Sequence, residues 1–425
     1  MLKKKHPWYI RRGYLHFDQP IDFSTAQSIV TSPKKVAQRS FHPFVDFELL
    51  TSKVKRNPAT NKLEKKEKRR PIAYASHVDS HIYSYYSRLL SVKYEEYIER
   101  EKVGSSILAF RALDKSNIEF ASEAFDEIRK RKSCHVLCLD VDGFFNNLNH
   151  IELKRAWSDV LGAKLLPDDH FSVFRSLTKH SSVNRDELYG LFGISKNNPK
   201  KEIRRICSPE EFRNIVRKTG LIRTNVDPHG IPQGSPISAL LSNIYMTGFD
   251  VNVKRFVENI GGQYFRYCDD MLFIVPIQYQ KSLKVFVDSE IKKIHLTIQT
   301  TKTEWRDFVR VGEVLTTTKP LQYLGFLFDG ERVFLRSASL ARYFERMKKS
   351  VRVAKATMTK RNIARASRGE SERALFRKSL YKRYSYLGRR NFVSYGYRAA
   401  KIMNSKSIRQ QLDGLWKRLH NEIAA

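Results

Sequence analysis

A mixed α/β fold is what the 425-residue sequence predicts, and three features carry that prediction. Two apolar stretches with β-branched content, residues 135–141 and the pair 263–267 and 271–275, read as buried strands. Upstream, Ile82, Tyr85, Leu89, Leu90, Tyr94 and Tyr97 recur at helical spacing, so a long helix is expected over 77–101. From about residue 338 the pattern is helical and strongly basic, with 18 Lys and Arg between 341 and 400 against Glu345, Glu370 and Glu372.

In chain order, residues 1–64 form a basic, irregular N-terminal extension. The charged run from Asn61 to Arg70, between Asn57-Pro58 and Pro71, suits a basic hairpin tip or a solvated loop. A helix is expected over 116–131, then the strand at 135–141, then helices near 151–162 and 168–178. Residues 179–226, Lys/Arg-rich and of low periodicity around 196–206, read as an insertion. The hairpin at 263–276, a helix over 279–294 and strands near 295–300, 321–328 and 332–335 precede the basic helical region, 336–425. There is no internal repeat and no low-complexity tract.

Composition narrows the function. Hydrophobic residues make up 41% and aromatics 12%, enough for a large core and too many for wholesale disorder. The 78 Lys and Arg against 44 Asp and Glu give a formal charge of +34, which repels itself unless a polyanion neutralises it. Nucleic acid is the expected partner. A membrane is not, because no apolar stretch approaches the roughly 20 residues of a spanning helix. Trp8-Tyr9-Ile10 is followed at once by Arg11-Arg12, which leaves no apolar core for a secretion signal. Cys134 and Cys138 have the spacing of a ligand pair, but with no second Cys/His pair the four cysteines read as buried thiols in a reducing cytoplasm.

Three places carry chemistry. Leu139-Asp140-Val141-Asp142-Gly143-Phe144-Phe145 puts a carboxylate at the end of an apolar strand, where it is costly unless it is paired, caps a helix or binds a cation. Tyr267-Cys268-Asp269-Asp270 joins two apolar strands through adjacent aspartates with no glycine. Neighbouring carboxylates in such a turn repel, and a divalent cation removes the penalty. Gly230-Ile231-Pro232-Gln233-Gly234-Ser235-Pro236 is a small-residue turn opening a helix, suited to a structural turn or to close approach of a substrate. If the strands are sheet neighbours, Asp140, Asp269 and Asp270 converge as all-oxygen ligands for two Mg²⁺ ions about 3.5–4 Å apart.

These three motifs, in this order, resemble the core of reverse transcriptases. The resemblance spans roughly 65–335 and includes Arg70-Pro71-Ile72, the motif from Leu296 to Thr303, and Tyr323-Leu324-Gly325-Phe326, which is similar to the primer grip. It implies a right-hand polymerase fold, with an antiparallel palm sheet, fingers over 65–335 and a basic helical thumb over 336–425. It implies that Asp140, Asp269 and Asp270 hold the metals. Phe145 would exclude a ribose 2′-hydroxyl, and Gln233 would contact the incoming dNTP. Arg70 would touch the triphosphate, a role Lys68 or Arg69 could fill instead. Lys302 is a candidate general acid for pyrophosphate departure or a solvated lysine.

Without Cys/His clusters or room for an RNase H domain, the chain looks like a compact bacterial enzyme. Ser235-Pro236-Ile237-Ser238 and the Tyr-Cys-Asp-Asp turn are most similar to defence-associated reverse transcriptases of the second type. The implied partners are a non-coding RNA template, its RNA–DNA hybrid and dNTPs, in bacterial antiphage defence. A template-independent or protein-primed polymerase on the same fold and a maturase-like RNA-binding scaffold are the alternatives. The oligomeric state is left open. The interleaved tyrosines Tyr381, Tyr384, Tyr386, Tyr395 and Tyr397 suit base stacking or, equally at helical spacing, the core.

Overall fold

The structure, a computed structural model, describes residues 6–56, 60–197 and 203–425. Helices α1 (Phe23–Val30) and α2 (Pro33–Ala37) are capped by the Asp22 and Ser32 side chains. Strands β1 (Phe44–Arg56) and β2 (Leu63–Tyr74) form a long antiparallel hairpin, in register from Val45 opposite Tyr74 to Arg56 opposite Leu63. The expected boundary at residue 64 therefore falls inside a hairpin. The turn with Asn57-Pro58 lies outside the described residues.

Helix α3 (His77–Arg100) confirms the long helix and starts on a Ser76 cap, and α4 (Asn117–Arg129) starts on a Ser116/Glu119 capping box. Strand β3 (Ser133–Asp140) leads to α5 (His150–Leu161) and α6 (Asp168–Thr178). Strand β4 (Ser181–Asn184) then pairs in parallel with the first residues of β1, and β5 (Arg223–Thr224) pairs with β4, in the order β2-β1-β4-β5.

The stretch expected as an insertion is thus built into the first sheet. Between its strands lie α7 (Arg185–Leu191) and the three-residue α8 (Pro209–Glu211), which runs into a π-helical turn, Phe212–Val216. Leu188, Tyr189, Ile206, Cys207 and Val216 are buried with Leu15, Phe17 and Val45. Part of the basic run around 196–206 lies outside the described residues.

Helices α9 (Ser238–Tyr245) and α10 (Thr247–Asn259) precede strands β6 (Gln263–Tyr267) and β7 (Asp270–Val275), then α11 (Gln280–Lys293). The strand expected at 295–300 is absent there: Ile298 makes one bridge to Val141, and Thr300–Lys302 is a 3₁₀ turn. The strand is β8 (Glu304–Val311), followed by β9 (Val314–Thr316). Its charged residues hide the strand signal, since one face of it is open to solvent. The span 321–328 is two strands, β10 (Leu321–Tyr323) and β11 (Phe326–Phe328), folded at Leu324-Gly325 and joined by β12 (Val333–Leu335). Helices α12 (Ser337–Ala366), α13 (Lys378–Tyr384), α14 (Phe392–Ile402), α15 (Lys406–Leu412) and α16 (Leu415–Ala424) end the chain.

The central sheet, in the order β6-β7-β3-β8-β9, is antiparallel throughout. Strand alternation divides its side chains between two cores. Leu137, Leu139, Met271 and Phe273 face a core shared with residues of α3, α5, α9 and α10. Cys134, Val136, Leu272 and Ile274 face one shared with α4, β10–β12, α14 and α15. Covered on both faces, β3 reads as the continuous apolar run seen in the sequence. Cys134 and Cys138, four residues apart on this strand, are about 13 Å apart at the strand rise and share no ion. All four thiols are free, and burial pushes Cys134 up to about 12.

Candidate active site

Register brings the carboxylates together. Asp140, last in β3, lies directly opposite Asp270, first in β7. Both continue the even-numbered face, so their side chains emerge on one side of the sheet with Cβ atoms about 4.5–5.5 Å apart. Asp269 sits at the head of the same hairpin, where its carbonyl accepts from Val141 N at 3.3 Å. Like charges opposed in this way destabilise a strand pair. Although part of Asp270 reaches solvent, withdrawal of its carboxyl from water, then Asp269 and Asp140, push it up to about 7, against Lys302 and Arg336.

The motif from Leu296 to Thr303 closes the end of β3. Asp142 N donates to Thr297 O at 2.9 Å and Gln299 N to Asp140 O at 2.8 Å, while Gln299 Nε2 reaches Asp142 Oδ1 at 2.8 Å. The following 3₁₀ turn swings Lys302 back so that its ammonium bonds Asp140 Oδ1. Lys302 is therefore the carboxylate's partner rather than a solvated lysine. With Lys302 on Asp140, no three His, Cys, Asp or Glu side chains among the described residues close around one point. Asp140, Asp269 and Asp270 remain an all-oxygen, mutually repelling donor set that fits a hard divalent cation.

The hairpin turn is held from beneath by a buried ion pair that sequence reasoning missed. Arg266 and Asp250 have no exposed side-chain surface and meet at 2.5 Å (Nη2–Oδ2) and 2.8 Å (Nε–Oδ1). Tyr264 donates to the same carboxylate at 2.8 Å. The other guanidinium nitrogen donates to Cys268 O and to Asn243 Oδ1, each at 3.0 Å. Cys268 is left-handed, with φ 62°, and immediately precedes Asp269. Burial alone pushes the Asp250 carboxyl up. Burial also works against the Arg266 charge, and Asp250 more than restores it. The available signal was Arg266 itself, a charge inside an apolar strand.

The glycine-rich turn joins the two sheets. Ile231 N donates to Phe145 O at 2.9 Å, and Ala73 N, on β2, donates to Gln233 O at 2.9 Å. Gly234 has φ 123°, and a Cβ there would lie 2.6 Å from Ala73 O, so only glycine fits. Gln233 lines a cleft of about 570 Å³ with Pro71, Ala73, Asn146 and Asn147. Phe145 is half-buried in a 3₁₀ turn after Gly143, its ring 5.7 Å from that of Phe144. Arg70 is exposed on β2, and alternation puts it on the face of Ile72, whose Cγ2 would touch that same Cβ at 3.2 Å. Its neighbour Arg69 is taken by Glu48 at 3.0 Å.

Residues 191–328 match the family model described as reverse transcriptase (RNA-dependent DNA polymerase). The matched span contains Gln233, Asp269, Asp270 and Lys302, and Asp140 lies N-terminal to it. Over this span the chain is similar to RNA-directed DNA polymerases, a class of nucleotidyltransferase. No curated protein matches the sequence. Among solved structures it is similar to apo telomerase from Candida tropicalis truncated from its C-terminal domain, at 11% identity and TM-score 0.45 over 74% of this chain. It is also similar to telomerase from Candida albicans in complex with a TWJ fragment of telomeric RNA, at 10% identity and TM-score 0.41, covering 94% of this chain and 66% of that one. The chain spans 58% of the first of these structures.

Proposed function

We propose that this protein copies an RNA template into DNA by two-metal phosphoryl transfer, adding dNTPs to a primer 3′-hydroxyl. The observation that carries the reading is the pairing of Asp140 with Asp270 at one sheet end, with Asp269 in the same turn. Asp140, Asp269 and Asp270 would hold two Mg²⁺ ions, which when bound activate the 3′-hydroxyl and stabilise the leaving pyrophosphate. Lys302, which bonds Asp140 here, would with a cation held by the carboxylates be free to donate a proton to the departing pyrophosphate. Gln233 and Phe145, tied to one loop, face the incoming sugar, with Phe145 selecting against a 2′-hydroxyl. Arg70 reaches the triphosphate from β2.

The template we infer is a dedicated non-coding RNA, held by the +34 charge, in the cytoplasm of a bacterium defending itself against phage. That part of the reading rests on the likeness of Ser235-Pro236-Ile237-Ser238 and the Tyr-Cys-Asp-Asp turn to defence-associated enzymes. The test is paired sequencing of co-purified RNA and of DNA made in cells by the wild type and by Asp269→Asn/Asp270→Asn. One dominant RNA whose complement appears only with the wild type supports the proposal. Wild-type DNA matching no RNA refutes templating and favours terminal addition; equal DNA from both proteins refutes the site.

A further inference from the structure

Beyond the nucleotide-adding site, the structure holds a second cationic cleft, of about 990 Å³. Its walls are the residues after α2, the end of α6 with the start of β4, and the π-helical turn with β5. Arg175, Lys179, Arg213 and Arg217 project into it from exposed positions, and no Asp or Glu lines it. Arg39 is also there, but Asp79 neutralises it at 2.8 Å. Among the described residues, none of the four exposed cations has a carboxylate partner, although many Lys and Arg elsewhere do. Glu210 and Glu211, beside Phe212 in the chain, do not line the cleft, and Asp168 and Asp169 line an adjoining depression that shares Arg175, Ser172, Ala37 and Gln38 with it. Four unpaired cations in one concavity raise each other's energy, and an anionic occupant removes that cost.

The cleft also offers an aromatic surface. Phe212 is half-buried, with Phe17 tilted against it, His42 edge-on, and the Arg217 guanidinium 5.4 Å from its ring centroid. The Arg217 N–H donates to Phe212 O at 3.0 Å, a five-residue step that widens the helix. Such π-helical turns are rare and concentrate at functional sites. Here the turn presents Arg213, Arg217 and one face of Phe212 together. Cationic side chains beside a half-buried ring that lines the cleft suit successive phosphates with a base that stacks, the chemistry of an unpaired strand rather than a duplex.

Its position gives it a direction. The cleft shares only His180 and Thr224 with the cleft lined by Gln233, and these lie at the β4–β5 edge of the first sheet. It shares no residue with the carboxylates. We infer that a single RNA strand crosses this edge and lies in the second cleft, its phosphates on Arg175, Arg213 and Arg217 and one base against Phe212. The inference rests on the reading of the protein as an RNA-templated polymerase only for the source of the strand.

The test uses the full chain and a fluorescent, unstructured 20-nucleotide RNA, with affinity measured across KCl concentrations. Arg175→Gln/Arg213→Gln/Arg217→Gln should weaken binding about tenfold or more and lower the log–log salt slope by about 2, at roughly 0.7 for each phosphate left without its cation. The corresponding Lys variants should restore the slope, which separates charge from fold. An unchanged affinity and slope overturns the cleft. Equal affinity for a DNA strand of the same sequence, lost equally in the variant, overturns the assignment to RNA. Primer extension on the same RNA by the wild type is scored apart: its failure refutes the polymerase reading and leaves the binding result standing.

Discussion

Replacing Asp250 by Asn leaves Arg266 charged where neither side chain has any exposed surface. Breaking a buried pair in this way costs about 3–5 kcal/mol, because the remaining charge has neither water nor a counter-charge. Tyr264 keeps an acceptor in the amide oxygen, so the loss falls on the guanidinium. Equilibrium urea unfolding of the metal-free protein measures it. The catalytic effect is separable. Arg266 also fixes the Cys268 carbonyl in its left-handed turn, and a shift of about 1 Å in Asp269 is enough for roughly a hundredfold loss of rate. Asp250→Leu/Arg266→Met replaces the pair with apolar bulk and should recover most of the stability. It should not recover the turnover number, since Cys268 O still lacks its donor. A double variant with full activity would refute the role assigned to the turn, and wild-type stability in Asp250→Asn would refute the ionic pair.

Lys302→Met should lower the Mg²⁺ concentration needed for half-maximal extension, by removing a competitor from Asp140, while cutting the turnover number about a hundredfold; a Mg²⁺ titration reads both. Phe145→Ala should admit NTPs beside dNTPs, and an unchanged preference in competition assays removes Phe145 from the gate. Gly234→Ala should destabilise by about 1–3 kcal/mol and loosen the loop from β2, seen as faster exchange of the Ala73 amide. For pH, the folded Asp270 carboxyl holds its proton up to about 7, whereas the unfolded chain releases it near the ordinary value. Its contribution therefore favours folding at low pH and is lost as pH rises from about 4 through 7. Asp270→Asn should raise the urea midpoint at pH 8 and leave it unchanged at pH 4, and wild-type Mg²⁺ affinity, by calorimetry, should fall below pH 7.

Long periodic elements were legible in the sequence because burial writes them there. Helix α3 and the buried strands β3 and β7 carry enough apolar residues to show their period, and the carboxylates are visible because a charge at the end of such a strand needs a reason. What pairs with what was not legible. Asp140 opposite Asp270 is a register, set by two cores that assemble residues far apart in sequence. Strand β8 was missed because its charged residues break the apolar signal. The stretch 179–226 read as an insertion because its strands are two and four residues long and are completed by β1, more than a hundred residues upstream. The bond from Lys302 to Asp140 depends on a 3₁₀ turn that no local pattern announced.

The β1–β2 hairpin is anchored at one end only. Of the thirteen residues of β1, only Phe44, Val45 and Asp46 also pair with β4. From Glu48 outward, among the described residues, no third strand pairs with the hairpin, and Leu49 and Leu50 are exposed, over about 30 Å at the strand rise. A two-stranded ribbon alone in water is marginally stable. Amide hydrogen exchange should therefore run as a gradient, slow at Val45 and fast toward Arg56. Any strand of nucleic acid laid along the ribbon would spend part of its binding free energy on ordering it, and would slow that exchange. Substitutions along the ladder then become a way to tune affinity and residence time without touching a single group that meets the nucleotide.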